Sequence, residues 1–224
     1  MNRKSMALVS LVLVIAMVAI AVWIAGTVPD GASLPVHWDA NGNPNGFAGK
    51  WTALLMPAGI TAAVSLLFYF LPVIEPRESH LQKSKGLVIA AWAGILLVMM
   101  IVELMAVAGA LHWALPVQSL MLVGVGLMFV LIGNQLGKSR SMFLVGIRTP
   151  WTLSSEEVWI KTHRLGGKLM MFAGLIMVAA AFLPIPGWAV PILIIGLVTV
   201  MAGVPIVYSY ILWRRQQASG QASG

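Results

Sequence analysis

Six long, predominantly apolar stretches constrain this chain more than any other feature of its sequence. They cover residues 6–26, 51–74, 86–111, 115–133, 168–183 and 188–213. A helix that crosses the roughly 30 Å hydrocarbon core of a bilayer needs about 20 apolar residues. Only 9% of the 224 residues are charged, whereas soluble domains carry about 25%. The sequence therefore predicts an all-α integral membrane bundle of six transmembrane helices.

The basic residues indicate how this bundle is oriented. Of the 14 Lys and Arg residues, all except Lys50 lie in segments that share one side of the membrane. Loops rich in Lys and Arg stay in the cytoplasm, so both termini are predicted there. The net charge of +7 follows from this topology and from attraction to anionic membrane lipid, so direct nucleic-acid binding is not predicted. The absence of cysteine excludes disulfides and thiolate metal sites.

The first long connection, residues 27–50, is predicted to be external. Its Asn-Gly steps and prolines favour a compact loop. Acid and amide residues alternate at its centre, as at the start of a calcium loop: Asp39, Asn41 and Asn43. Pro44 and Lys50 replace the glycine and the bidentate glutamate that such a loop needs, so no metal site is predicted. The alternative is structural, with Asx side chains capping turns and Trp38 at the membrane interface.

The second long connection, residues 134–167, is predicted to be cytoplasmic. Ser154 followed by Glu157 fits a capping box, which predicts one short interfacial helix over residues 155–165. The pair at 166–167 is Gly-Gly, which favours a helix stop before the fifth span.

Helical spacing places Glu156, Trp159 and His163 on one face of this short helix. One interpretation is structural: tryptophans anchor the segment at the interface and arginines bind lipid phosphate. The other combines Arg148, Glu156 and His163 into a polar cluster, because an imidazole beside a carboxylate binds or moves protons near neutral pH.

Glu103 is the acid that falls inside an apolar stretch. An ionised carboxylate costs about 2.5–3.5 kcal/mol within a bilayer, so Glu103 should face the bundle interior and be protonated or paired. His112 lies on the opposite face of the same helix, so a partner must come from another helix or from the external loop, where His37 and Lys50 are candidates. Glu103 then either makes a structural polar bond or takes part in binding a ligand or a proton.

The two connections resemble conserved stretches of the SdpI family and of the membrane domain of unknown function that often accompanies it. The first stretch reads Leu34-Pro35-Val36-His37-Trp38-Asp39 and continues through Gly42 to Lys50. The second reads Gly146-Ile147-Arg148-Thr149-Pro150-Trp151-Thr152 and continues through Glu157, Trp159 and Lys161-Thr162-His163-Arg164-Leu165-Gly166-Gly167. The resemblance implies a bacterial cytoplasmic (inner) membrane protein with an N-terminal membrane domain over 1–85 and an SdpI-like domain over 86–215. Residues 216–224, a small polar repeat, are predicted to be a disordered tail.

The resemblance also implies a function in immunity and signalling. Such a protein confers resistance to a secreted membrane-active peptide toxin outside the cell and draws a transcriptional repressor to the membrane inside. The resemblance marks His37, Trp38, Asp39, Gly42 and Lys50 as external ligand-binding residues, and Glu103 joins them as an intramembrane candidate because of its position inside a span. It marks Arg148, Pro150, Trp151, Trp159, His163 and Arg164 as cytoplasmic functional residues, and Glu156 joins them because it shares a helix face with Trp159 and His163.

Enzymatic activity is not predicted, because no nucleophile triad, phosphate loop or His-Glu-x-x-His motif is present. No catalytic residue, cofactor or metal is expected. Two other functions remain open: a proton-coupled transporter of small molecules or peptides that uses Glu103, and a lipid-modifying enzyme that uses Arg148, Glu156 and His163.

Overall fold

The fold is a bundle of long helices with two long connections, one between α1 and α2 and the other between α5 and α7. The computed structural model of the chain describes residues 2–222. In this part the helices are α1 (Arg3–Thr27), α2 (Lys50–Ile74), α3 (Glu78–Lys83), α4 (Lys85–Ala110), α5 (Val117–Leu136), α6 (Pro150–Ser154), α7 (Glu156–Ala180) and α8 (Ala189–Ala222). The helices α1, α2, α4 and α5 lie within a few residues of the predicted stretches, because each apolar run ends at a polar or helix-breaking segment.

Among the described residues, five helices are long and apolar enough to cross a membrane: α1, α2, α4, α5 and α8. The chain is therefore a multi-pass membrane protein. The sixth long helix, α7, carries charged residues along its first half, from Glu156 to Lys168. It packs antiparallel against α5, and the carbonyl that follows it, of Ala181, accepts a 2.8 Å hydrogen bond from Ser119 near the start of α5. The count of six spans stays a prediction.

The predicted helix stop at Gly166–Gly167 is wrong, and α7 continues to Ala180. The separate interfacial helix is thus the first half of α7. These glycines serve helix packing: a Cβ on Gly167 would lie 2.6 Å from the carbonyl oxygen of Gly133, so the backbones of α5 and α7 touch there. The helix also begins one residue later than predicted, because Ser155 rather than Ser154 accepts the capping hydrogen bond from the Val158 amide.

A two-stranded antiparallel hairpin corrects the all-α prediction. Strand β1 (Ser33–Trp38) pairs with β2 (Pro44–Gly49) in the connection between α1 and α2. We call this end of the bundle the hairpin end. The opposite end carries the connections 75–84 and 138–155, and we call it the polar end.

Side chains distant in sequence hold the two predicted domains together. Trp92 of α4 donates a 3.3 Å hydrogen bond to Ser65 of α2 and stacks on Phe68 at 5.7 Å between ring centroids. At the far end of the chain, α8 continues through residues 216–222, where the sequence predicted a disordered tail. The last two residues of that predicted tail, 223 and 224, lie outside the described part.

Candidate functional site

At the hairpin end, Asp39 shapes the turn between the two strands. Its Oδ1 accepts hydrogen bonds from the backbone amides of Asn41 and Asn43, both at 2.9 Å, and Gly42 follows with a φ of +85°. The backbone hydrogen bond from Asn43 holds the pKa of Asp39 below its usual value, because it stabilises the charged form. The structural alternative for this loop, in which an Asx side chain caps the turn, is confirmed for Asp39.

Lys50 joins the end of α1 to the start of α2. Its ammonium donates to the carbonyls of Ala25 and Val28 at 3.1 and 2.9 Å, and to Asp30 at 2.7 Å. A cation is favourable there because the last carbonyls of a helix carry partial negative charge. Lys50 therefore neutralises the α1 terminus, and it does not pair with Glu103.

A cavity of about 470 Å³ lies between the hairpin and the nearby ends of α4 and α5. Its aromatic and basic lining comes from two connections: Trp38 and Phe47 of the hairpin, and His112 and Trp113 after α4. Of the predicted external residues, Trp38 and Gly42 line this cavity, whereas His37, Asp39 and Lys50 do not. His37 instead bonds Asn45 of the opposite strand.

The residues that sequence analysis missed at this end are His112 and Trp113. The signal was available, since a second His-Trp pair follows the third apolar stretch and must lie at the same end as the first pair, His37 and Trp38. The helical phase of His112 bears on a bond to Glu103 but not on contacts with the external loop.

Glu103 lies deeper in the bundle, on the same helix as the cavity-lining Met105 and Gly109. It is 5% exposed, which confirms that it faces the interior. Neither of its carboxylate oxygens has a hydrogen-bond partner among residues 2–222. The two candidate partners, His37 and Lys50, do not pair with Glu103, because both of those side chains bond within the hairpin end.

At the polar end, His163 and Trp159 form a fully buried stack with ring centroids 3.8 Å apart. The His163 Nδ1 donates to the Trp159 carbonyl at 2.8 Å, and the Ile147 amide donates to Nε2 at 2.8 Å. An amide can only donate, so Nε2 carries no proton and the ring is neutral. Burial lowers the pKa of His163 to about 4. The interpretation of His163 as a proton carrier near neutral pH is therefore wrong.

Gly146 allows the chain to pass closely over this stack. Its φ is +122°, and a Cβ there would lie 2.7 Å from the His163 Nε2 and 2.8 Å from the Trp159 ring. The indole of Trp159 also donates to Ser139 Oγ at 3.2 Å. The segment 139–147 is thus held against α7 at both of its ends.

The predicted cluster of Arg148, Glu156 and His163 does not form. In the described part of the chain, no hydrogen bond or ion pair joins any two of these side chains. Glu156 accepts from the Ser141 amide at 3.3 Å, and Arg148 donates to the Phe143 carbonyl at 2.6 Å. The contacts therefore do not favour a lipid-modifying centre built from these groups.

The remaining predicted residues of the polar end have separate positions. Pro150 begins α6, which Thr149 caps with a 3.1 Å bond from the Thr152 amide. Trp151 packs edge-on against Tyr210 of α8 at 5.2 Å, and Arg164 is exposed on α7.

The short connection 75–84 organises the polar end, although no functional residue was predicted in it. Glu75 is 4% exposed and accepts the amides of Arg77, Phe143 and Leu144 at 3.1, 3.0 and 2.8 Å. Arg77 bonds Ser141 and lies 4.7 Å over the Phe143 ring. The density of charged residues in this short connection is the sequence signal that could have pointed to it.

Comparisons with known proteins agree with both family segments. The model of the SdpI/YfhL protein family matches residues 138–209, and the model of a domain of unknown function, DUF1648, matches residues 12–61. "Immunity protein SdpI" of Bacillus subtilis (strain 168) is 26% identical over 187 residues, which cover 83% of this chain and 86% of that protein. No solved structure matches the chain. The chain therefore contains a segment that matches the SdpI/YfhL family and, ahead of it, a segment that matches DUF1648, and the resemblance found in the two connections is confirmed.

Proposed function

We propose that this chain is a membrane immunity protein that confers resistance to a secreted membrane-active peptide toxin. The relative named as an immunity protein supports the class of function. The observation that carries the location is the 470 Å³ cavity between the hairpin and the end of α4. The peptide binds there, at the hairpin end.

The lining of this cavity suits an amphipathic peptide. Trp38, Phe47 and Trp113 supply large apolar surfaces, and Phe47 and Trp113 are more than half exposed. Aromatic side chains of this kind dominate the binding energy of peptide interfaces because they bury much area with few rotatable bonds. His112 adds a polar group at the rim.

The proposal places the hairpin end outside the cell and the polar end in the cytoplasm, with residues 168–183 as a further span and the first half of α7 at the cytoplasmic side. The distribution of Lys and Arg supports this orientation, since Lys50 is the basic residue of the hairpin end. Both termini are then cytoplasmic, in a bacterial inner membrane. A secreted peptide would meet the cavity before it reached the membrane interior.

The test is a survival assay in a sensitive strain that expresses the protein. Cells are challenged with secreted membrane-active peptides, including those in culture supernatant of the Bacillus subtilis strain that encodes the relative, and membrane potential is recorded. Trp38→Ala and Trp113→Ala should each abolish protection. Trp23→Ala is the matched control, because Trp23 is 69% exposed on α1 and does not line the cavity. Protection that survives both cavity variants would refute binding at the cavity, and a protein that protects against no peptide would refute immunity.

The proposal includes a second partner, a transcriptional repressor recruited at the polar end. Arg148 and Arg140 are exposed there and offer a basic surface to a protein. Crosslinking and pull-down from native membranes, with and without the peptide, tests this step. A repressor captured only in the presence of peptide supports recruitment, and capture of the peptide alone limits the function to immunity.

One observation favours a second candidate function, a proton-coupled transporter. Both carboxylate oxygens of Glu103 are buried without a hydrogen-bond partner among the described residues, and buried carboxyls inside membranes mark proton pathways in pumps and transporters. In vesicles, Glu103→Gln should then abolish pH-dependent substrate flux while protection from the peptide persists. Flux that is unchanged in Glu103→Gln excludes this role.

A further inference from the structure

The outer face of α7 and α8 carries an open apolar groove. The groove has a volume of about 520 Å³ and is lined by Leu165, Val200, Gly203, Val204, Val207 and Ile211, among others. From Val200 to Ile211 it follows α8 for about 16 Å, at 1.5 Å per residue. This length equals about half of the roughly 30 Å hydrocarbon core, which is the depth of one lipid leaflet.

The groove opens directly into a basic pocket of about 360 Å³. Leu165 and Tyr208 line both spaces, so the two are continuous. The other lining residues of the pocket are Lys161, Arg164 and Lys168, which lie on one face of α7. An apolar channel therefore ends at a concentration of positive charge.

Most of this charge is not neutralised by the protein. Lys161 forms a 2.6 Å ion pair with Glu157. Arg164 and Lys168 are exposed, and neither makes a hydrogen bond or ion pair with another residue in the range 2–222. An anion at the mouth of the groove would thus meet two free cations, one of them a guanidinium that can form two parallel hydrogen bonds to a phosphate.

We propose that this groove is a binding site for one anionic phospholipid. The headgroup phosphate binds Arg164 and Lys168, and one acyl chain lies along α8 in the apolar groove. Charge and shape select this occupant together, because a soluble anion would leave the groove empty and an uncharged lipid would leave the cations unpaired. The site lies away from the hairpin-end cavity and is independent of the proposed immunity function.

Native mass spectrometry of the purified protein in detergent tests this site. The protein is titrated with phosphatidylglycerol and with phosphatidylcholine of identical acyl chains. We expect one phosphatidylglycerol to bind more tightly than phosphatidylcholine. The double variant Arg164→Gln/Lys168→Gln should weaken phosphatidylglycerol binding by about 30-fold, since each basic residue near an anionic lipid contributes about 1 kcal/mol. Its affinity for phosphatidylcholine should fall by much less, because the choline ammonium of that lipid neutralises its phosphate.

A charge-matched control removes two cations from another part of the polar end. Lys83 and Lys138 are exposed and line neither the groove nor the basic pocket. Lys83→Gln/Lys138→Gln should therefore bind both lipids as the wild type does. Equal weakening in this control would overturn the proposal, because it would show an effect of net charge alone.

A second variant tests the acyl part of the site. Nothing lies within 4 Å of the position that a Cβ on Gly203 would occupy, so Gly203→Leu fills the groove without a clash. We expect this variant to lose tight binding of both lipids and to keep its thermal unfolding midpoint. The proposal is overturned if the wild type does not prefer the anionic lipid, or if the groove is the contact of a dimer that Gly203→Leu dissociates.

Discussion

Replacing Glu75 with Gln tests the contact that joins the 75–84 connection to the segment after α5. In the wild type, Oε1 accepts the amides of Arg77 and Phe143, and Oε2 accepts the amide of Leu144 at 2.8 Å. Glutamine keeps one acceptor oxygen but turns an NH₂ group toward the Leu144 amide. One bond is lost and two donors face each other in a buried site. The loss of a hydrogen bond to a charged group costs about 1.5–3 kcal/mol, and the repulsion between the two facing donors adds to this cost, so we expect the free energy of unfolding to fall by about 2–4 kcal/mol.

Thermal unfolding in detergent, followed by tryptophan fluorescence, measures this loss. Hydrogen exchange of peptides that cover residues 143–144 should accelerate in the same variant, because these amides lose their acceptor. Glu78→Gln is the matched control. It removes the same charge from an exposed position on α3. An unfolding midpoint unchanged in Glu75→Gln, or lowered equally in Glu78→Gln, would refute the assignment of these hydrogen bonds.

Three further outcomes test the packing of the polar end and of α7. Gly146→Ala should lower the free energy of unfolding by about 2–4 kcal/mol, because a side chain at φ +122° is strained and would clash with His163; a thermal midpoint equal to that of the wild type would contradict this. The pKa of His163 is lowered to about 4 from an ordinary 6.5, so the unfolded chain binds the proton more readily and the stabilising effect of the neutral ring, complete above pH 6.5, should be lost as pH falls toward 4. Nitrogen NMR of the imidazole should show a neutral ring at pH 6, and a protonated ring there would disprove the buried geometry. Gly167→Leu should cost about 3 kcal/mol by separating α5 from α7, whereas Gly196→Leu, with open space around its Cβ position, should leave the midpoint of thermal unfolding unchanged.

The long apolar stretches located the helices because span length is a property of consecutive residues. A run of about 20 apolar residues has few alternatives to a membrane helix. The same argument predicted that Glu103 is buried, since a carboxylate inside a span avoids lipid. Helical spacing likewise placed Trp159 and His163 on one face, and their rings do stack.

Predictions from local sequence patterns were wrong where the same residues fit two different structures. Gly166–Gly167 reads as a helix stop, yet the close approach of α5 to Gly167 makes glycine necessary within a continuous helix. The external loop reads as a turn-rich coil, yet its two halves pair as strands because Asp39 caps the turn between them. Only the neighbouring elements decide which meaning applies.

The amino-acid sequence was enough to establish that this is a membrane bundle, to locate α1, α2, α4 and α5, and to show which family it resembles. The partner of each polar side chain, and therefore its chemistry, depended on the folded arrangement. Glu75 meets Phe143 across 68 positions of sequence, and His163 receives its amide from Ile147. Charge state and binding capacity depend on desolvation and on hydrogen-bond donors within about 3 Å, and folding brings those donors from distant parts of the chain. Trp38 and Trp113 became one candidate site for the same reason, because the hairpin folds over the end of α4.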